Sequence, residues 1–420
     1  VLWRGSIRER EQRFGRLEDI AVTSAKGDGR KLKAAVVGGG IGGLAAANAL
    51  LQRGLQVDVY EQASSLGEVG AGIFVYPNSL RQLERMGFGP ALAKVGSPVG
   101  EGSKYRRMDG TIVGSIITQD SSGWNGMYGM HRADILNALA AALPATCIHT
   151  DHKCVGFEES DESAKVHFAN GAAIEADVVI AADGIRSALQ PFVVEPSPPE
   201  YSGFRAYRGL VERNALDSWP DRTHQVWMGH GKHFMVFPVR SGTLLNYVGF
   251  VPLDIETVES WSAVGDRDQL AKSFEGWDPL IGKLLAKVDS CFWWGLFDRK
   301  PLRTWCNGRL TLLGDAAHPM LPHLGQGANQ AIEDGVALSI LLEGRNASEV
   351  PNALRAYENL RRPRTSMVQS ESRRNGMRYD SQYPSIEKRD EEIRNIAALR
   401  LSLYDYDVAA AALQAAREFA

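Results

Sequence analysis

The spacing of apolar and polar positions changes several times along this chain, and each change marks an element. Lys33–Val37 (KAAVV) is almost wholly apolar, the pattern of a buried strand. A Gly-rich turn follows, then an Ala- and Leu-rich helix through Gln52, then a second strand in QVDVYEQ. This is a βαβ opening. SLRQLERMG, from Ser79, predicts a helix that Gly87 stops. HRADILNALAAAL predicts another amphipathic helix, and AKVHFANGAAIEADVVIAADG alternates like strands around an Asn-Gly turn. Between about 200 and 300 the texture becomes aromatic, with alternating strands such as HFMVFPV and LLNYVGFV. Apolar character of a parallel strand returns in GRLTLLGDAAH, and the chain is helix-prone from Gln326 onward.

These periods predict an α/β chain. A Rossmann-like nucleotide-binding domain is formed by residues 31–200 and 301–375. A largely antiparallel sheet over 201–300 forms a second domain, and 376–420 is a C-terminal helical segment. Residues 1–30 mix Arg with Glu and Asp and read as an N-terminal extension. They lack the apolar core of a signal peptide.

Two motifs carry chemistry. The first is Gly38-x-Gly40-x-x-Gly43, between a strand and a helix. A tight turn, close approach to a pyrophosphate and close helix–strand packing each require a missing side chain. Glu61 lies eighteen positions after Gly43, near the spacing of about 20 that puts a carboxylate on a ribose diol. Taken alone, such glycines also fit a plain turn with a surface Glu. The second motif runs from Arg309 to Gly335, RLTLLGDAAHPMLPHLGQGANQAIEDG. A buried strand delivers Asp315, which suits a polyol chain. The helix start near Gly325–Gly327 offers N–H groups and a positive dipole to an anion. A nicotinamide dehydrogenase has no use for this second element, whereas a flavin does.

Gly38–Gly43, Ala182-Asp183-Gly184 and Gly314-Asp315, in this order, resemble the single-component flavoprotein aromatic hydroxylases of the para-hydroxybenzoate hydroxylase fold. The resemblance runs from Lys33 to about Gln369. It takes in EVGAGI (Glu68–Ile73), HRADIL (His131–Leu136), AADGIRS (Ala181–Ser187) and YENLRRPRTSMVQ (Tyr357–Gln369). FRAYRGLV (Phe204–Val211) and KHFMVFPVRSG (Lys232–Gly242) are similar to salicylate hydroxylase and its 6-hydroxynicotinate and 3-hydroxybenzoate relatives. The resemblance implies FAD, with the loop Gly38, Gly40, Ile41, Gly42, Gly43 and the acid Glu61 on its ADP half. It implies Arg132 reaching the cofactor from a helix, Asp183 at the pyrophosphate region and Asp315 on the ribityl chain. Gly327 and Ala328 would lie under the isoalloxazine. NADH or NADPH is the implied cosubstrate, and no second Gly-x-Gly-x-x-Gly is present to bind it. The implied reaction passes through a flavin C4a-hydroperoxide that attacks an electron-rich ring.

A phenol reacts faster as a phenolate, so a base is wanted. His233 opens the strand His233–Val239, and relatives carry His at this position. Its bland alternative is a half-buried sheet histidine held by a carbonyl. Pro319 is rigid and suits a pocket wall. His323 is either a polar contact to substrate or a loop brace. Arg205 and Tyr207 are candidate partners for a substrate carboxylate. Arg208 serves that role or pairs inside the fold, with the structural role favoured. His318 reads as structural, and Trp293 and Trp294 as core or pocket wall. Where the 6-hydroxynicotinate enzymes tend to carry a His, this chain has Phe74-Val75-Tyr76. The 3-hydroxybenzoate enzymes lack the form Met320–His323. Both departures point to the salicylate-like branch.

Composition narrows the field without deciding it. A length of 420 residues calls for more than one core. A net charge of -3 leaves no footprint for nucleic acid or an anionic membrane. Four scattered cysteines without C-x-x-C argue against a metal site or disulfide framework, and for a reducing cytoplasmic setting. No apolar run reaches the roughly 18 residues of a membrane span. The expected protein is a FAD monooxygenase, monomer or homodimer, that hydroxylates a small hydroxylated aromatic acid with dioxygen. A salicylate-like substrate would lose carbon dioxide. Rival readings are a flavin epoxidase or tailoring oxygenase on a larger substrate, and a non-catalytic flavin-binding protein.

Overall fold

The computed structural model describes residues 30–67, 71–217, 219–253 and 263–419. The extension before residue 30, and Glu68–Gly70 of the EVGAGI motif, lie outside them.

A six-stranded sheet runs in the order Cys306–Asn307, Leu310–Leu312, Val178–Ala181, Lys33–Val37, Gln56–Tyr60, Ile148–His149. All pairings are parallel except at the Cys306 edge. Its central strands are buried from Ala34 to Val37 and from Val178 to Ala181, as their apolar runs require. The helices Ile41–Gln52 and Gly327–Leu342 pack against each other on this sheet. Small residues set their closeness. A Cβ on Gly335 would lie 2.7 Å from the Ala46 Cα, and one on Gly42 would lie 2.9 Å from the Ala331 Cβ.

The second sheet has eight strands, in the order Ala263–Gly265, Cys291–Asp298, Glu200–Glu212, Leu244–Pro252, Lys232–Val239, Gln225–Gly229, Lys104–Arg107, Ile112–Ser115. It is antiparallel but for one parallel pair, Gln225–Gly229 with Lys104–Arg107. Its last two strands come from within 31–200, so the sheet is not confined to 201–300. Both faces are covered. One face packs Tyr207, Trp227, Phe234 and Tyr247 under the short helices Arg267–Ser273 and Pro279–Leu285. The other packs Met228, Met235, Phe250 and Leu296 against Leu321 and Tyr379, toward the first sheet.

The helix Val350–Tyr379 runs across the 375/376 boundary, and three further helices follow: Ile386–Asn395, Ala397–Tyr404 and Val408–Phe419. No helix among the described residues is long and apolar enough to cross a membrane.

Candidate active site

The early glycine corner is built for a large anion. Gly38 has φ +114°, and a Cβ there would overlap the carbonyl of Ala182. A Cβ on Gly43 would overlap the Gly38 carbonyl. Gly40 is different: a Cβ there would meet nothing within 4 Å. It caps the helix Ile41–Gln52, which has no side-chain cap and no acid in its first turn. The orphan N–H groups and the dipole are therefore available to a phosphate. Glu61 accepts from the Gly39 N–H at 2.7 Å and from the Ala63 N–H at 2.9 Å, so it also locks the loop. Asp183 turns one oxygen to the Ala188 N–H at 2.8 Å, and its other oxygen is buried without a partner. Burial pushes its carboxyl up.

The late corner is held from behind. His318 Nε2 lies 2.6 Å from Asp334, and Asp334 also accepts from the Gly314 N–H at 3.1 Å. Arg361, fully buried, donates to Asp334 at 2.8 Å and to Glu333 at 2.6 Å. Asn329 accepts from the Tyr76 N–H and donates to the Phe74 carbonyl, each at 2.9 Å, which bolts the strand Gly72–Val75 to the helix start. The helix Gly327–Leu342 also begins without a side-chain cap or an early acid. Asp315 is exposed at this corner, 3.8 Å from where a Cβ on Gly327 would stand. Its charge supports the half-buried Arg132, whose guanidinium burial otherwise pulls down. The fold thus gathers Arg132, Asp315 and Gly327.

Across from this corner stands His233, fully buried on the inner face of the eight-stranded sheet. Its ring stacks on Phe250, centroids 4.1 Å apart. Nδ1 lies 2.7 Å from the Asp380 carboxylate, and Nε2 has no partner among the described residues. A carboxylate at Nδ1 keeps the proton there and leaves Nε2 as the basic nitrogen. His323 meets the same ring edge-on at 5.2 Å. Burial, with the charge of His233, holds His323 well below the usual histidine range. Pro319 is buried beside it, its carbonyl bonded to Gln369 at 2.9 Å.

A FAD binding domain family model matches residues 31–372 of this chain. The chain belongs to that family. It is 37% identical over 348 residues to a 3-amino-4-hydroxybenzoate 2-monooxygenase of Streptomyces platensis, 81% of this chain and 87% of the relative. It is 32% identical over 407 residues to a salicylate hydroxylase of Pseudomonas putida, 90% and 93% of the two chains. The solved structure of a salicylate hydroxylase substrate complex superposes with a TM-score of 0.81 at 30% identity, over 92% and 98% of the two chains.

The two corners fit the FAD of this family. The open space at Gly40, the uncapped helix behind it and the unpartnered Asp183 oxygen suit a dinucleotide tail. Arg132, Asp315, Gly327 and the half-buried Ala328 suit its ribityl and ring end. Ile41 and Gly42 offer backbone only. The Ile41 side chain is buried, and Gly42 faces Ala331.

Arg205 and Tyr207 are not brought to His233. Strand register aligns Ala206 with Phe250 and Phe250 with His233, so these three share a face. Arg205 and Tyr207 take the opposite face, over Gln269 and Trp293. The inner-face arginine is Arg208. It is 2% exposed, 4.9 Å from the Trp294 ring, and pushed down to about 10 by burial and by the nearby Arg132. Arg208 is thus on the same face as His233, close enough to Arg132 to feel its charge. Asp380 escaped the sequence reading, because nothing local marks an acid after Tyr379 as the partner of a strand histidine.

Proposed function

We propose that this chain is a FAD-dependent monooxygenase that puts one atom of dioxygen onto a small aromatic acid bearing a ring hydroxyl, with NADH or NADPH as reductant. The observation that carries this reading is the His233–Asp380 pair opposite the late corner, 2.7 Å apart and closed to solvent. Bound FAD, once reduced, supplies the activation of dioxygen. The residues of the chain supply the rest. His233 Nε2 takes the proton of the ring hydroxyl, and the Asp380 carboxylate stabilises the imidazolium that results. Phe250 keeps the imidazole in plane by stacking. His323, held neutral, offers a second polar group to the hydroxyl without adding charge. Met235, Phe250 and Leu321 close the space to water, which favours hydroxylation over loss of the oxidant.

The two relatives compared above act, by their names, on hydroxylated benzoates, which supports an aromatic acid as substrate. The salicylate-like expectation becomes one member of a wider set that includes ring-amino acids. The test is a screen of hydroxylated aromatic acids for stimulated NADH or NADPH oxidation by the yellow protein, with product identification. A panel in which no acid speeds oxidation or yields a hydroxylated product would refute the proposal.

A further inference from the structure

Arg400 is a buried cation without a carboxylate partner among the described residues. It sits on the helix Ala397–Tyr404 and is 2% exposed. Its Nε donates to the Tyr105 hydroxyl at 2.9 Å. Its terminal nitrogens donate to Tyr404 at 3.2 Å and Tyr379 at 3.1 Å. Tyr76 adds a fourth phenol to the group. No carboxylate pairs with Arg400 among the described residues, and its three side-chain acceptors are phenol oxygens. Asp380, next to Tyr379, is held by His233 instead.

Phenol oxygens recover only part of what burying a guanidinium costs, since buried charges are normally paired. The geometry also leaves donors over. A phenol that accepts from Arg400 still has its own O–H to give. The Tyr105 and Tyr379 rings lie 6.0 Å apart, with both hydroxyls on the same guanidinium. Burial raises the hydroxyls of Tyr76, Tyr105 and Tyr404 above the usual phenol range, so they remain protonated donors at neutral pH. His224 lies against the same group. It is 3% exposed, tilted on Phe74 at 4.6 Å, and neither ring nitrogen has a partner among the described residues. Burial and the charge of Arg400 keep it neutral.

This cluster adjoins both halves of the active site. The Tyr379 ring is 5.2 Å from the His233 ring, and the Tyr76 hydroxyl is 2.8 Å from where a Cβ on Gly325 would stand. We infer that Arg400 and its polarised tyrosines receive the carboxylate of the aromatic acid, which supplies the missing negative charge. Selection for acids is then made from the C-terminal helices, not by an arginine of the sheet. The inference rests on the aromatic-acid reading above.

The test is binding to the FAD-loaded protein, read as the change in the visible flavin spectrum without turnover. Salicylate, 4-hydroxybenzoate and 3-amino-4-hydroxybenzoate are each compared with their neutral carboxamides. Charge-assisted hydrogen bonds predict that the wild type prefers at least one acid over its amide by about 10-fold or more. Arg400→Gln is expected to erase that preference, losing about 10-fold on the acid while the amide changes less than about 2-fold. Equal weakening of acid and amide, or a preference that survives Arg400→Gln, overturns the inference. If the Gln variant does not retain FAD, Tyr404→Phe decides: it removes one hydroxyl and keeps the ring. A narrowed preference supports the site, and an unchanged one overturns it. A wild type that binds acids and amides equally overturns the carboxylate site alone. One that binds neither overturns the aromatic-acid reading as well.

Discussion

The imidazole of His233 stands 2.7 Å from the carboxylate of Asp380, and neither side chain is more than 3% exposed. One nitrogen is thereby committed to the acid, and the other has no partner among the described residues. Asp380→Asn replaces the charge with an amide and removes the stabilisation of the imidazolium. Turnover is expected to fall about 100-fold, the scale of general base catalysis, with KM little changed. His233→Ala is expected to lose a similar factor. Because the two act as a unit, the double variant is expected to be no slower than the worse single one. Steady-state kinetics on the best acid, with flavin content as control, check this. Losses that multiply would mean the residues act separately.

Gly40 and Gly43 separate cofactor binding from folding. A methyl on Gly40 meets no protein atom within 4 Å, whereas one on Gly43 overlaps the Gly38 carbonyl. Gly40→Ala is expected to leave the stability of the flavin-free protein within about 0.5 kcal/mol while FAD is lost readily on dilution. Gly43→Ala is expected to lower both. Unfolding curves and flavin retention of the two variants check the contrast. Full FAD retention in Gly40→Ala would place the dinucleotide elsewhere.

Arg361 ties two buried acids to the late corner. Burial alone would raise the carboxyls of Glu333 and Asp334, but the surrounding cations reverse this and hold both below their ordinary values. Arg364 and Arg361 act on Glu333, and His318 and Arg361 on Asp334. Groups with depressed folded values contribute stability above the ordinary carboxylate range and lose it as pH falls through the folded values. Stability is therefore expected to drop steeply below about pH 4. Arg361→Met leaves buried charge uncompensated and is expected to cost about 3–5 kcal/mol at neutral pH. Denaturant unfolding at pH 7 and at stepped acid pH reads both effects.

Arg205 and Arg208 make opposite predictions. Arg205→Ala lies on the outer face, and its KM for acid and its flavin affinity are expected to stay within about twofold, as for a surface change. Arg208→Gln lies beside Arg132 and is expected to weaken flavin retention by about 10-fold. Flavin titration of the two variants checks this. A reversed order would mean that the strand is shifted by one residue.

The parts of this fold legible in the sequence are those set by short-range rules. The βαβ opening was readable because Gly38, Gly40 and Gly43 answer to backbone constraints within six positions. The Asp315–Gly327 corner was readable from an apolar strand leading to Asp315 and a Gly-rich helix start. The face taken by Arg205, Tyr207 and Arg208 was not legible because both faces of their strand are buried: Tyr207 is 1% exposed and Arg208 2%. Alternation of apolar and polar residues then says nothing about which face holds the site, and only register against Phe250 and His233 decides it. Asp380, at the end of the helix Val350–Tyr379, and Arg400, within Ala397–Tyr404, are placed by helices whose docking depends on long-range packing. The strands Lys104–Arg107 and Ile112–Ser115 join the second sheet through a parallel pair that no hairpin announces.

The most direct measurement is isotopic. The FAD-loaded protein is supplied with NADH or NADPH, ¹⁸O-labelled dioxygen and the hydroxylated acid it binds best, and the product is weighed by mass spectrometry. The proposed chemistry predicts a hydroxylated ring carrying one labelled oxygen atom, formed in step with nicotinamide oxidation. Nicotinamide oxidation that leaves every tested acid unlabelled would contradict it.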